Sequence, residues 1–312
     1  MSRTLSSCWV VRSVLAVAAL REGDALIASK LARRAFQVFE PIAAQAFFVP
    51  EVSEAFDEIG LSMIEGYFTA RSAPLGTPTP GAVTATFYSF HPGLIKRFLR
   101  SDISFPEALD ARRIGAGRAL RRMLGDEGAD LSEVNAWLRD LIEVSPPEGR
   151  PLFAGHADLD PPEDPFEALW HGANTMREFR GDGHLAVLLT HDLTGIQAQV
   201  LQAGVRDLAE PENSFMVRGH GWRPEEYKAA AAVLHSRGLT EADGTISEAG
   251  RRLRGMIEQE TDHLAQGPFL AVGEQRSEAM LDVLAPLSRR VVEEQGLPGR
   301  VVKEGLKAPA GN

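Results

Sequence analysis

The sequence predicts a mainly α protein in two parts, an N-terminal helical domain followed by a C-terminal helical domain that carries a small β-hairpin. Three observations predict it. Apolar residues recur at helical spacing along most of the chain; Pro146, Pro147, Pro151, Pro161 and Pro162 gather with Gly149 and Gly155 near its middle; and Asp243-Gly244 is the one strong hairpin signal. A chain of 312 residues with 44% hydrophobic content is long enough for two such domains and a sizeable core.

Residues 1–29 read as an N-terminal extension of the kind a misplaced start would add, because regular patterning begins only at Lys30. Inside it, 9–20 is apolar but interrupted by Arg12, and it falls short of the roughly 20 residues that a membrane span requires. It imitates a signal peptide without a small-residue cleavage site.

From 30 to 46, Leu31, Ala35, Phe36, Val38, Phe39 and Ile42 mark a first amphipathic helix. Pro50-Glu51 opens a second over 52–59, Gly60 stops it, and a third runs over 62–70. After a turn-rich loop, 82–90 is read as helix although its 83–88 run admits a strand, since both flanks are helical. His91-Pro92 then opens a basic helix over 93–100, and amphipathic helices at 109–123 and 131–142, the latter capped by Asp130, complete a domain over 30–145. The stretch 146–163 has the composition of a semi-rigid surface linker. In the second domain, 164–298, helices are expected at 165–180, 184–190, 194–203 and 224–237. A two-stranded hairpin over 238–247 follows, then a long helix to 265 and a last helix over 278–295. Residues 299–312 are expected to be a mobile tail.

The net charge of −10, with no Lys/Arg-rich run, sets a repulsive mean field against nucleic-acid backbones. Cys8 is the only cysteine, so an internal disulfide and a cysteine metal cage are excluded, and a cytoplasmic location is expected. Phosphate-cradling glycine loops and the Gly-x-Ser-x-Gly elbow do not occur. His171, His184 and His191 are the only histidines whose spacing invites a metal, without a His-Glu-x-x-His pattern; no metal and no cofactor is expected.

Chemistry-bearing residues concentrate between Trp170 and His191. Gly181-Asp182-Gly183 reads as a turn that ends one helix and caps the next through Asp182, which would gather Arg177, Arg180, Asp182 and His184 at one corner. Such a corner suits an anion or a carbonyl; the alternative is a solvated corner in which Asp182 is only a cap. His171, Asn174, Thr175 and Glu178 share one face of the preceding helix. In the functional reading His171 and His184 are the catalytic candidates, exchanging a proton near neutral pH, while Arg177 and Arg180 hold a carboxylate or enolate and Asn174 and Asp182 bind the ligand. Tyr88 and His91, from the aromatic run 87–91, would add a wall and a third imidazole; core packing is the alternative for that run.

The order helix, Arg237-Gly238-Leu239, Asp-Gly hairpin, Ser247-Glu248-Ala249-Gly250-Arg251 and long helix resembles winged-helix regulators of the MarR type over 224–265. Phe48-Val49-Pro50-Glu51, Gly66-Tyr67-Phe68, Arg71-Ser72-Ala73-Pro74-Leu75-Gly76, Phe87-Tyr88-Ser89-Phe90 and 169–184 resemble an actinobacterial family of helix-turn-helix type, many of whose members have no assigned activity. This second resemblance spans 30–284 and implies a winged-helix-like C-terminal domain. The pattern departs at Ala43 and Phe47, where a histidine and a tyrosine are expected.

A DNA-reading helix needs side chains that reach base edges and cations that hold flanking phosphates. In 224–237, Glu225 and Glu226 cancel Lys228 and Arg237, a long loop at 204–222 precedes the helix, and the hairpin tip 241–244 is acidic. The residues therefore favour a protein that binds a small metabolite in an interdomain cleft, with His-based acid–base chemistry left open. The alternative is a ligand-responsive, MarR-like regulator that binds DNA. Expected partners are a small-molecule ligand and no membrane, and 278–295 offers a surface for a homodimer.

Overall fold

The computed structural model describes residues 22–125, 130–208 and 219–294, and fourteen α-helices run through them. Of the extension read over 1–29, residues 1–21 lie outside the described residues, as does the tail 299–312, while 22–29 form the start of the first helix rather than an unpatterned extension. The helices are α1 (Glu22–Ala44), α2 (Pro50–Glu58), α3 (Met63–Ser72), α4 (Pro80–Phe87), α5 (Pro92–Phe98), α6 (Phe105–Leu124) and α7 (Ser132–Val144). They continue as α8 (Pro151–Ala157), α9 (Pro165–Thr190), α10 (Gly195–Leu208), α11 (Pro224–Ser236), α12 (Glu248–Ala265), α13 (Gly267–Ala271) and α14 (Glu274–Glu293).

Local chemistry explains most of the starts. Proline stands at the first position of α2, α4, α5, α8, α9 and α11, where its missing N–H and fixed φ carry no cost. Ser62 and Glu65 form a reciprocal capping box at α3, and Thr79, Ser104, Asp164 and Ser247 cap α4, α6, α9 and α12 through their side chains. The 83–88 run, which admitted a strand, lies in α4 and its C-cap Tyr88.

Three apolar clusters organise these helices. The largest joins α1, α2, α6 and α7 to the first half of α9 and to α13 and α14, around Phe39, Phe56, Trp137, Trp170 and Phe269. A second is built by Val187 and Leu188 from the end of α9, with Val200, Leu201, Tyr227, Leu234 and Ile257. The third holds Phe68, Val83, Phe87, Ile95 and Leu152. The proline-rich stretch, expected to cross the surface, carries α8, whose Leu152, Phe153 and His156 are buried.

The expected fold class is corrected at the hairpin: no strand occurs among the described residues, and the fold is all-helical rather than winged-helix-like with a β wing. In 238–247 a single antiparallel bridge joins Thr240 and Ile246. The arms are too short for a ladder, and their polar groups are spent on helices and turns. Thr240 Oγ1 donates to Ala231 O at 3.3 Å and Ser247 Oγ to Gly238 O at 2.7 Å, while the Gly244 N–H closes a turn on Glu241 O at 2.9 Å.

The predicted break at Gly181-Asp182-Gly183 is also absent, because α9 continues unbroken from Pro165 to Thr190. Two helical glycines cost roughly 1 kcal/mol each relative to alanine. Close packing explains one of them: a Cβ on Gly183 would stand 2.7 Å from Arg150 Nη1. Asp182 does cap a helix, but a different one, since its Oδ2 accepts the Phe153 N–H of α8 at 3.0 Å.

Candidate functional site

The unbroken α9 presents Arg177, Glu178, Gly181, Asp182, His184 and Leu185 to one side, and α1, α3 and α4 face it with aromatic side chains. Between them lies a cavity of about 680 Å³, within the usual size of small-molecule sites. Phe36, Phe47, Tyr67, Phe68, Phe87 and Phe90 form its apolar wall, with the Tyr67 ring 5.0 Å from Phe47 and 5.5 Å from Phe90. His220 stacks on Phe90 at 4.3 Å. A smaller cavity of about 220 Å³, lined in part by Tyr88, Leu188, Gln199 and Ile257, shares His184, Leu185, Gln202 and Glu258 with the larger one.

Two ion-pair networks support the polar side. Glu178 accepts Arg71 Nε at 3.2 Å and Nη2 at 3.1 Å, and it also meets Arg177 Nη1 at 3.4 Å. Arg177 in turn donates Nε and Nη2 to Glu40 at 2.7 and 3.1 Å. Burial alone would raise the Glu178 carboxyl, but Arg71 and Arg177 overrule it and hold its pKa down at about 2. In the second network Arg180 Nη2 reaches Glu258 at 2.9 Å and Asp262 at 3.0 Å, and Arg33 bridges the same two carboxylates. Burial again works against ionised Glu258, and Arg180 and Arg33 bring it to about 2.

Asp182 and His184 differ from these groups. Burial raises the Asp182 carboxyl to about 6, and no cation pairs with it at salt-bridge distance among the described residues. His184 is pushed below its ordinary pKa by burial, so its ring is neutral at physiological pH. Its Nδ1 lies 3.0 Å from Thr261 Oγ1, whose own proton goes to Ile257 O at 2.7 Å. Nδ1 must therefore carry the hydrogen, which leaves Nε2 as an acceptor.

Of the residues predicted for the site, the structure brings Arg177, Arg180, Asp182 and His184 to one cavity. Tyr88 lines the smaller cavity, where it has φ 47° and its hydroxyl donates to Leu193 O. The other three lie elsewhere. His91 caps α5 by accepting the Gly93 N–H at 2.9 Å, and its ring meets Trp222 edge-on. Asn174 is fully buried between Arg112 and His156, with Oδ1 3.4 Å from Arg112 Nη2 and Nδ2 3.2 Å from His156 Nε2. His171 is buried near His156, and burial lowers its pKa to about 4.

Sequence reasoning offered the 87–91 run as a wall, and its Phe87 and Phe90 do line the cavity; it missed Phe36, Phe47 and Tyr67 in that wall, and Arg71, Glu40 and Glu258. The wall had a visible signal in Gly66-Tyr67-Phe68 and the 87–90 run, but only the packing of α3 and α4 against α9 turns it toward one space. Among the described residues no histidine–carboxylate–cysteine cluster suits a metal ion, and no helix is long and apolar enough to cross a membrane.

A family model described as a helix-turn-helix family matches residues 32–298. No curated protein and no solved structure matches the chain. The family match bears on the chain as a whole, since it runs from α1 through the α9 cavity face and past the end of α14. Matched over most of its length, the chain belongs to this helix-turn-helix family.

Proposed function

We propose that this chain is a ligand-responsive, DNA-binding regulator whose effector site is the aromatic cavity beside α9. Membership of a helix-turn-helix family across residues 32–298 carries the reading. The placement of the cavity supports it. The second apolar cluster, where α10, α11 and α12 meet the end of α9, adjoins the cavity through His184, Leu185, Gln202 and Glu258, so an occupant would touch that helical unit directly. On its outer surface α11 exposes Lys228, Ala229, Ala232, Val233 and Ser236, with Arg237 just beyond, and Arg251 and Arg252 are exposed at the start of α12. The excess of acidic residues opposes this surface, which makes contact with DNA weak and dependent on salt.

The test is a gel shift with the DNA upstream of the protein's own coding sequence, at salt from about 50 to about 200 mM. A salt-sensitive shift confined to one site, weakened by Lys228→Ala, supports the regulator. Absence of any shift at the lowest salt overturns it.

One observation favours a second reading, a metabolite-binding protein with acid–base chemistry. Asp182 near pKa 6 and neutral His184 stand in the same cavity, the first suited to moving a proton near neutral pH and the second to accepting a hydrogen bond. Native mass spectrometry of the purified protein separates the two, because a co-purifying small molecule without a DNA shift belongs to the second.

A further inference from the structure

We infer that the cavity takes a planar ring compound bearing a protonated amine, stacked on the aromatic wall with its amine at Asp182 and His184. The inference rests on the cavity being the ligand site proposed above, and it names the chemistry of the occupant.

Three observations carry it. The first is the shape and character of the walls. Phe47, Tyr67, Phe87 and Phe90 line one side of the cavity, where Arg71 already lies over the Phe87 ring at 4.3 Å and His220 stacks on Phe90 at 4.3 Å, so an occupant meets an aromatic wall that holds flat and cationic groups on one side and hydrogen-bonding groups on the other. Offset stacking favours a flat molecule there, and ring faces attract positive charge.

The second is the state of the polar groups. Every guanidinium that lines the cavity is engaged with carboxylates: Arg71 with Glu178, Arg177 with Glu40 and Glu178, and Arg180 with Glu258 and Asp262. None of these has a fork left for an anion. Asp182 is different, because its hydrogen bond among the described residues is the Phe153 N–H at 3.0 Å, leaving Oδ1 to accept from a ligand. His184 presents Nε2 as a second acceptor. An anionic occupant would bring like charge toward Asp182, Glu178 and Glu258, whereas a protonated amine supplies the donors that both groups lack.

The charged groups around Asp182 do not reverse this. Glu178 lies one turn back on α9, and Arg71 is committed to it across the cavity. Arg150, from the start of α8, spends its guanidinium on Phe179 O and Leu264 O. Arg112 is buried behind the Phe47 ring and is not among the cavity-lining residues.

The third observation is Gly181. It lines the cavity between Glu178 and Asp182, and a Cβ built there meets nothing nearer than Glu178 Oε2 at 3.7 Å. A Cβ at this position is accommodated, so a larger side chain placed there extends from the cavity wall.

The experiment uses two fluorescent probes, proflavine as a planar aromatic cation and anilinonaphthalene sulfonate as an aromatic anion. They are titrated into the wild-type chain and into Gly181→Leu and Asp182→Asn. The expected result is saturable proflavine binding that Gly181→Leu abolishes and Asp182→Asn weakens at least about tenfold, with anilinonaphthalene sulfonate binding no better than proflavine. Should Asp182→Asn fail to fold, the wild-type chain answers alone. Its proflavine affinity then drops on acidification from about pH 7.5 to about pH 5, as the two acceptors proposed for the amine, Asp182 and His184, gain protons.

Binding that Gly181→Leu abolishes but that favours the anion, or that ignores both Asp182→Asn and acid, overturns the amine assignment and leaves the cavity as a ligand site. Probe binding indifferent to Gly181→Leu, or no binding at all, overturns the cavity itself as the ligand site.

Discussion

Glu178 holds Arg71 through two parallel hydrogen bonds, at 3.2 and 3.1 Å, and thereby ties α9 to α3 beneath the aromatic wall. Both partners are largely shielded from water, so removing Arg71 leaves buried Glu178 with only its longer contact to Arg177 at 3.4 Å. Arg71→Met is expected to destabilise the protein by about 3–5 kcal/mol, the usual cost of breaking a buried pair from one side. Arg112 provides the contrast. It is 1% exposed and, among the described residues, has no carboxylate partner and no hydrogen bond at Nη1; burial lowers its pKa to about 9. Arg112→Met should therefore cost less than about 1 kcal/mol or stabilise, because the buried charge disappears along with the side chain. Denaturant midpoints of the two variants check the pair, and equal losses would refute the distinction.

Gly181 and Gly183, two of the three glycines of α9, should respond oppositely to the same added methyl group. At Gly181 a Cβ has room, so Gly181→Ala is expected to stabilise by up to about 1 kcal/mol through helix propensity. At Gly183 a Cβ would press on Arg150 Nη1 at 2.7 Å and disturb its bond to Phe179 O, so Gly183→Ala should destabilise. Thermal melting of both variants is the measurement; a turn at this point in place of a helix would make both substitutions harmful.

Acid should destabilise the protein through its buried imidazoles. Burial lowers His156 from 6.5 to about 3 and His171 from 6.5 to about 4. Below pH 6.5 the unfolded chain binds protons that the folded chain refuses, so the stability contributed above the unfolded pKa is lost as pH falls toward the folded values. Near pH 5 each histidine accounts for a loss of about 2 kcal/mol. Asp182 acts in the opposite sense. With its folded pKa raised from 3.8 to about 6, its contribution is fully present below 3.8 and is lost as pH rises through 6, and it offsets part of the acid loss over that window. Melting temperatures at neutral and mildly acid pH should fall for the wild type and fall less for His156→Gln. A parallel decline of the two would mean that His156 is not the group responsible.

Much of the helical order was legible, because Leu31, Phe39 and Ile42 or Val134 and Leu138 repeat at helical spacing and proline or serine marks the starts. The misread places share a cause. Gly181-Asp182-Gly183 has the local chemistry of a turn, yet the burial of Phe179 and Val187 on either side keeps the helix running. Asp243-Gly244 does turn the chain, but its arms end in buried contacts with α11 and α12 before a ladder can grow. At the site, Arg177, Arg180, Asp182 and His184 were found because they are neighbours in sequence. Arg71, Glu40 and Glu258 come from three other helices, and no single-sequence pattern announces that α1, α3 and α12 converge on α9.

The continuity of α9 has a consequence for how the molecule comes apart. One hydrogen-bonded rod, about 39 Å long at 1.5 Å per residue, supplies Trp170 and Phe179 to the first core and Val187 and Leu188 to the second. Fraying that rod from either end strips apolar partners from the core at that end and shortens the template for the other. The two cores thus lend each other cooperativity, and loss of one lowers the barrier to loss of the next.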